Sequence, residues 1–166
     1  MAITRLPATA LSGTSLPSTI TSASGLSLGK VLQVQTTVTT TTSSTNSTSF
    51  TDITNHSVNI TPSSSSSKVL VMITFGARVM SSSNQGAVFD FKVLRDSTGI
   101  SEFRLGNREA NNEQRDMHTP GYHVVDQPST DSQVTYKLQM KKINGDQVQI
   151  NDGSKQAHIT AIEIEG

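Results

Sequence analysis

The sequence predicts an all-β protein: an antiparallel β-sandwich of the jelly-roll kind, preceded by an extended N-terminal segment. Three observations predict it. Apolar residues recur every second position in short runs, turn-forming residues separate those runs at intervals of roughly 10–15 residues, and no run keeps a helical period. Length agrees, because 166 residues make one domain with a single core.

Residues 1–29 are set apart by composition. Ser and Thr number 46 in the chain, and 32 of them fall in residues 1–67 with only three charges, Arg5, Lys30 and Asp52. The first 29 residues hold two prolines and no sustained period, which predicts an extended segment unable to form a core by itself. Its spaced apolar residues Ile3, Leu6, Leu11, Leu16, Ile20 and Leu26 are candidate anchors to another protein surface. The division expected is therefore 1–29, anchoring segment, and 30–166, sandwich domain.

From Lys30 the pattern becomes β. Residues 30–42 (KVLQVQTTVTTTT) alternate Leu32, Val34 and Val38 with polar residues, and β-branched Thr suits a pleated surface. Residues 43–49 read as a turn-rich break. Residues 50–60 form a strand with an irregularity, a bulge, at Asn55-His56. Pro62 and five serines make a loop. Residues 68–80 (KVLVMITFGARVM) are the most continuous apolar run and the best central strand. Residues 86–95 place Phe89, Phe91 and Val93 opposite Asp90 and Lys92, and 99–105 supply the next strand. After a polar stretch come 122–126 and then 133–141, which has the cleanest alternation in the chain. Asn144-Gly145-Asp146 predicts a hairpin turn with 147–151 pairing back. Residues 157–165 close the domain, Ile162 and Ile164 alternating with Glu163 and Glu165. Nine short strands of this spacing mean a sandwich or barrel.

Composition excludes several chemistries. Without Cys there is no disulfide framework, thiolate metal site or thiol nucleophile. Zero net charge and few aromatics argue against nucleic acid as a partner. No run approaches the roughly 18 apolar residues of a membrane span, and the N-terminus lacks a signal-peptide core.

Motifs that imitate chemistry do not hold up. Gly25-Leu26-Ser27-Leu28-Gly29 fits G-x-S-x-G, yet a nucleophile elbow needs a strand before the Ser and a helix after it. Here coil precedes and a strand follows, so an esterase built on Ser27, or a glycan depolymerase, is a remote alternative. His56, His118, His123 and His158 lack ligand spacing, and each is expected to be exposed or hydrogen-bonded. The carboxylates alternate with Lys and Arg, as on solvated strand faces. Three N-x-S/T sequons at Asn46, Asn55 and Asn59 match the two or three that about 28% hydroxyl residues give by chance. Neither catalytic residues, metal nor cofactor is expected.

The charge-dense stretch 106–118 reads as a polar loop on a rigid scaffold, where binding surfaces commonly sit. Arg108, Glu109, Glu113 and Arg115, with Tyr122 and His123 beyond it, are the candidate surface for binding.

One resemblance spans residues 29–166. It rests on Gly29-Lys30-Val31-Leu32-Gln33-Val34-Gln35, Ser49-Phe50-Thr51-Asp52-Ile53, Ile60-Thr61-Pro62-Ser63, Lys68-Val69-Leu70-Val71, Asp126-Gln127-Pro128-Ser129-Thr130, Val134-Thr135-Tyr136-Lys137-Leu138 and Ile159-Thr160-Ala161-Ile162-Glu163-Ile164. Together these resemble small β-structured virion proteins of tailed bacteriophages, cyanophage-like ones especially, of the tail fibre or structural protein type. The resemblance implies a jelly roll shaped like C1q/TNF heads, a homotrimer and no catalytic residues. The setting expected is then the virion, assembled in the bacterial cytoplasm, and the composition break near Gly29 makes residues 1–29 the segment expected to join other tail or capsid proteins. Host-receptor contact is a further expectation, and a head decoration or cement protein is the alternative. A core thin in aromatics (4%) independently favours oligomerisation, which adds buried apolar area.

Overall fold

Alternation of large apolar and polar side chains fixes which face of each strand turns inward. The clearest case is residues 134–140, where Val134, Tyr136, Leu138 and Met140 are buried and the residues between them half-exposed. The structure, a computed structural model, describes residues 29–81, 86–107, 114–151 and 155–166. The anchoring segment assigned to 1–29 thus lies outside the described residues except for Gly29.

The described residues form twelve strands in order: β1 (Val31–Thr39), β2 (Ser43–Thr45), β3 (Thr51–Ile60), β4 (Lys68–Thr74), β5 (Ala77–Ser81), β6 (Ala87–Arg95), β7 (Thr98–Asn107), β8 (Gln114–His118), β9 (Gly121–Asp126), β10 (Val134–Asn144), β11 (Gln147–Ile150) and β12 (Ala157–Ile164). They form three four-stranded sheets, β1-β12-β4-β9, β2-β11-β5-β8 and β3-β10-β6-β7. The first two are one layer bent at a crease, because β1 runs into β2, β4 into β5, β8 into β9 and β11 into β12 across short breaks. Counted as single passages, these pairs leave eight strands in two layers of order 1-8-3-6 and 2-7-4-5. That order, antiparallel throughout, is a jelly roll.

The core lies between the bent layer and the flat one. Val69, Val71, Ile73, Ile159 and Ala161 face Ile60, Phe89, Phe91, Tyr136 and Leu138 within one buried cluster. Through it runs an aromatic stack: Phe75 at the crease, Phe91 on β6, Phe103 on β7 and Tyr122 on β9, with centroid spacings of 5.2, 5.2 and 4.2 Å. The stack crosses both layers, so few aromatics suffice to tie them.

Several local expectations hold. Asn55 takes a left-handed φ of 57°, and the β3–β10 register shifts opposite it, as a bulge there requires. Strand β6 buries Phe89, Phe91 and Val93.

Others are corrected. Residues 43–45 are not a break but β2, since they pair with β11. The run 68–80 is two strands, because the layer creases at Phe75-Gly76. The stretch 106–118 is not wholly a loop: 106–107 end β7, and 114–118 form β8 against β5. Turn residues Asn144-Gly145-Asp146 exist, with Gly145 at φ 90°, where a Cβ would also strike Ala87 at 2.8 Å. They do not make a hairpin, because β10 is already flanked by β3 and β6. The chain instead crosses to the bent layer, where β11 pairs with β2 and β5.

Two strands have the opposite facing from the one expected. On β12 the buried parity is Ala157, Ile159, Ala161 and Glu163, so Ile162 and Ile164 point outward. On β1, Val34 and Val38 are outward and exposed, opposite Ile162 and His158. Nothing in a two-residue period says which parity is inside. Here Ala157, Ile159 and Ala161 decide it.

Candidate functional site

The inversion of β1 and β12 creates the most distinctive surface of the molecule. The register of the β1-β12-β4-β9 sheet sets Val34, Ile162, Leu70 and Val125 side by side in one row across all four strands. The next row is Thr36, Thr160, Met72 and His123, and the next Val38, His158, Thr74 and Gly121. The hydroxyls of Thr36 and Thr160 lie 3.1 Å apart in a hydrogen bond. At the far end Val31 stands beside Ile164, with Gly29 so close that a Cβ there would lie 2.9 Å from Ile164 Cγ2.

This outer face is apolar where a sandwich face is ordinarily wet. Val31, Val34, Val38, Met72 and Val125 are 44–57% exposed. Lys68, His123 and His158 are the titratable side chains in these rows, and no carboxylate stands among them. Among the described residues strand β1 is also an edge, hydrogen-bonded to β12 alone, and a nine-residue edge of this kind invites another chain.

The opposite outer face, on β3-β10-β6-β7, is its converse. Asp90 accepts from Arg104 Nε at 2.6 Å and Nη2 at 3.1 Å, with Lys141 at 3.7 Å. Those hydrogen bonds, with the two cations, outweigh the partial burial and hold the Asp90 carboxyl below its usual range; the Arg104 hydrogen bond is the largest cause. Lys92 pairs with Glu102 at 2.7 Å. Asp52 accepts from Gln139 at 2.7 Å and Lys137 at 2.9 Å, and the two hydrogen bonds lower its pKa. The ring of Phe50 lies beneath the ammonium groups of Lys92 and Lys141, 4.2 and 4.5 Å away. Such a lattice of compensated charges is already satisfied in water. The first face is not.

Inside the sandwich the polar groups are structural. Glu163 is fully buried: Oε1 accepts from Ser63 N at 2.7 Å and Ser63 Oγ at 2.6 Å, and Oε2 from Gln33 Nε2 at 2.6 Å. Burial pushes this carboxyl up, but the hydrogen bonds from Ser63 and Gln33 outweigh it and hold the pKa at about 2. His56 is buried with neither ring nitrogen hydrogen-bonded, which corrects the expectation that each histidine is exposed or hydrogen-bonded. Phe75 meets it edge-on at 6.1 Å.

The residues singled out from sequence are scattered. The anchors Ile3, Leu6, Leu11, Leu16, Ile20 and Leu26 lie outside the described residues, as do Ser27, Arg108, Glu109 and Glu113. Arg115 sits on β8 opposite Met80. Tyr122 is half-buried, stacked on Phe103 and sharing a hydrogen bond with Ser101 at 2.5 Å, so its ring is committed to packing. Of that set His123 alone joins the apolar face, opposite Met72. The face itself was missed. Its signal was present in residues 68–74, apolar on both parities like a strand covered on both sides.

A cavity of about 250 Å³ opens at the crease among Thr74, Phe75, Gly76, Thr119, Lys155 and Gln156, with Lys155 its one ionisable side chain. Among the described residues no group of three His, Cys, Asp or Glu is placed to hold a metal ion, and no helix is long and apolar enough to cross a membrane.

No protein-family model and no curated protein matches the chain. Among solved structures, the insecticidal delta-endotoxin Cry8Ea1 from Bacillus thuringiensis is similar at 15% identity, over 74% of this chain and 19% of that chain, with a TM-score of 0.36. The chain thus spans about a fifth of that protein, and a likeness this slight carries no functional argument.

Proposed function

We propose that the chain is a structural protein of a tailed-bacteriophage virion: a non-enzymatic, homotrimeric jelly roll of the fibre type, attached through residues 1–29 and contributing to host attachment. The observation that carries the reading is the contrast between the two outer faces. The bent layer presents rows of Val, Ile, Leu, Met and Thr without a carboxylate, whereas the flat layer presents satisfied ion pairs. A contiguous exposed apolar face marks a surface that works by packing against protein. The resemblance of residues 29–166 to phage virion proteins supplies the setting.

The test is incorporation. Particles assembled with full-length protein should carry it in a small multiple of three or six copies at the tail, visible by labelling. Protein lacking residues 1–28 should fold and stay off the particle. Hundreds of copies on the head would replace the fibre reading with that of a decoration protein. Normal incorporation of the truncated protein would remove the anchor.

A further inference from the structure

We infer that the outer face of the β1-β12-β4-β9 sheet is the contact between copies of this chain. This rests on the homo-oligomeric reading above and names the surface that performs it. Charge is the first argument. Among the described residues a partner for this face meets no carboxylate and finds Lys68, His123 and His158 as the titratable side chains, so no strongly charged surface is matched to it. The face suits a second copy: turned about a three-fold axis, one part of the sheet meets another part of the next copy's sheet. Val, Ile, Leu and Thr then meet Val, Ile, Leu and Thr, and threonine hydroxyls pair as Thr36 and Thr160 already do within one copy.

Size is the second argument. Four strands spaced about 4.8 Å apart, each contributing about eight residues, give a footprint of roughly 500 Å². The accessible area of such a corrugated patch is larger, so it approaches the ~800 Å² per partner of a standard interface. The third argument is the edge. β1 borders the face, and among the described residues one side of its backbone has no neighbouring strand; a closed symmetric assembly seals such an edge in the act of covering the face. Among the described residues five of the six exposed large apolar side chains are on this sheet, Ile143 being the sixth, so one contact removes most of the liability they present.

The absence of native cysteine makes the test direct. Val34→Cys and Val125→Cys, each made in the full chain, introduce a sole thiol at a side chain more than half exposed in the isolated protomer. Both should give intermolecular cross-links with a short bis-maleimide, whereas Lys137→Cys on the opposite face should not. Val34→Glu and Val125→Glu, checked for folding by circular dichroism, should weaken self-association by about a hundredfold in light scattering, because a carboxylate is then buried unpaired among the apolar side chains of the next copy. A wild-type oligomer that is unchanged by both Glu variants and cross-links through Lys137→Cys overturns the choice of face and leaves the oligomer standing. A wild-type monomer whose Val125→Cys thiol labels freely overturns both. A monomer whose thiol is protected shows the face covered by another part of the same chain, which also overturns the inference.

Discussion

Tyr136 and Asp126 join the two layers of the sandwich through one oxygen. The buried Tyr136 phenol donates to Asp126 Oδ2 at 2.7 Å, and Arg95 Nη1 donates to the same atom at 2.7 Å. Asp126 lies on β9 of the bent layer; Tyr136 and Arg95 are register partners on β10 and β6 of the flat layer. Burial pushes the phenol pKa far up, and the Asp126 hydrogen bond and charge add to it. The phenol therefore remains a protonated donor at neutral pH and well into the alkaline range. Tyr136→Phe removes one charge-assisted hydrogen bond and leaves Asp126 paired with Arg95. It should lower stability by about 1.5–3 kcal/mol, read as a shift in urea midpoint at constant slope. Asp126→Ala strands the buried Tyr136 phenol and leaves Arg95 only its longer bond to the Gln127 carbonyl at 3.4 Å, so it should cost more.

The second tie between the layers is aromatic. Phe103 of β7 stacks on Tyr122 of β9 at 4.2 Å and on Phe91 at 5.2 Å. Phe103→Ala should cost about 3 kcal/mol, the low end for an aromatic truncation, because the ring is only half-buried. Near-ultraviolet circular dichroism should weaken with it. Tyr122→Phe keeps the stack and loses only the bond to Ser101, so it should cost about 1 kcal/mol.

Glu163 provides a third prediction, with a sign set by its pKa. The folded value is about 2 against an ordinary 4.5. The carboxylate's stabilising contribution is thus fully present above pH 4.5 and is lost as pH falls toward 2. Glu163→Gln places an amide donor against Ser63 N–H or Gln33 Nε2, both donors themselves. Stability at pH 7 should fall by about 2 kcal/mol or more, and the acid slope between pH 4.5 and 2 should shrink. An unchanged slope would show that other carboxylates set it.

Glu163 also shows how far the sequence was legible. Strand existence was readable wherever apolar residues alternated with charged ones, as in 86–95 and 133–141, because parity there has one sensible reading. Facing was not readable where both parities carried apolar residues, as in 68–74 and 159–164, and existence was not readable where neither did, as in 114–118. In 159–164, Ile162 and Ile164 looked like core and Glu163 like surface. Only the hydrogen bonds from Gln33 and Ser63, distant in sequence, make a buried carboxylate acceptable and send the isoleucines outward. The same tertiary satisfaction hid the apolar face. Strand β8 was missed for a related reason: its five residues QRDMH carry no period, and it exists through pairing with β5. Asn144-Gly145 signalled a turn correctly, but which sheet the chain enters next depends on strands already flanking β10.

His56 supplies the last prediction, because it acts in a neighbouring pH window. Burial lowers its pKa from 6.5 to about 4, with a smaller contribution from His158, and neither nitrogen has a partner. The unfolded chain binds this proton below pH 6.5 while the folded chain resists it down to about 4. Stability is therefore intact above pH 6.5 and declines as pH falls to 4, by about 3 kcal/mol in all. His56→Leu removes the titrating ring, and with it the unsatisfied nitrogens, so stability at pH 7 should change by little more than 1 kcal/mol. Between pH 6.5 and 4.5 the variant should be flat where the wild type slopes. Below pH 4.5 both should decline together, since Glu163 still titrates. Urea midpoints measured across pH for wild type, His56→Leu and Glu163→Gln separate the two groups. A His56→Leu profile that keeps the upper slope would move that titration to another histidine.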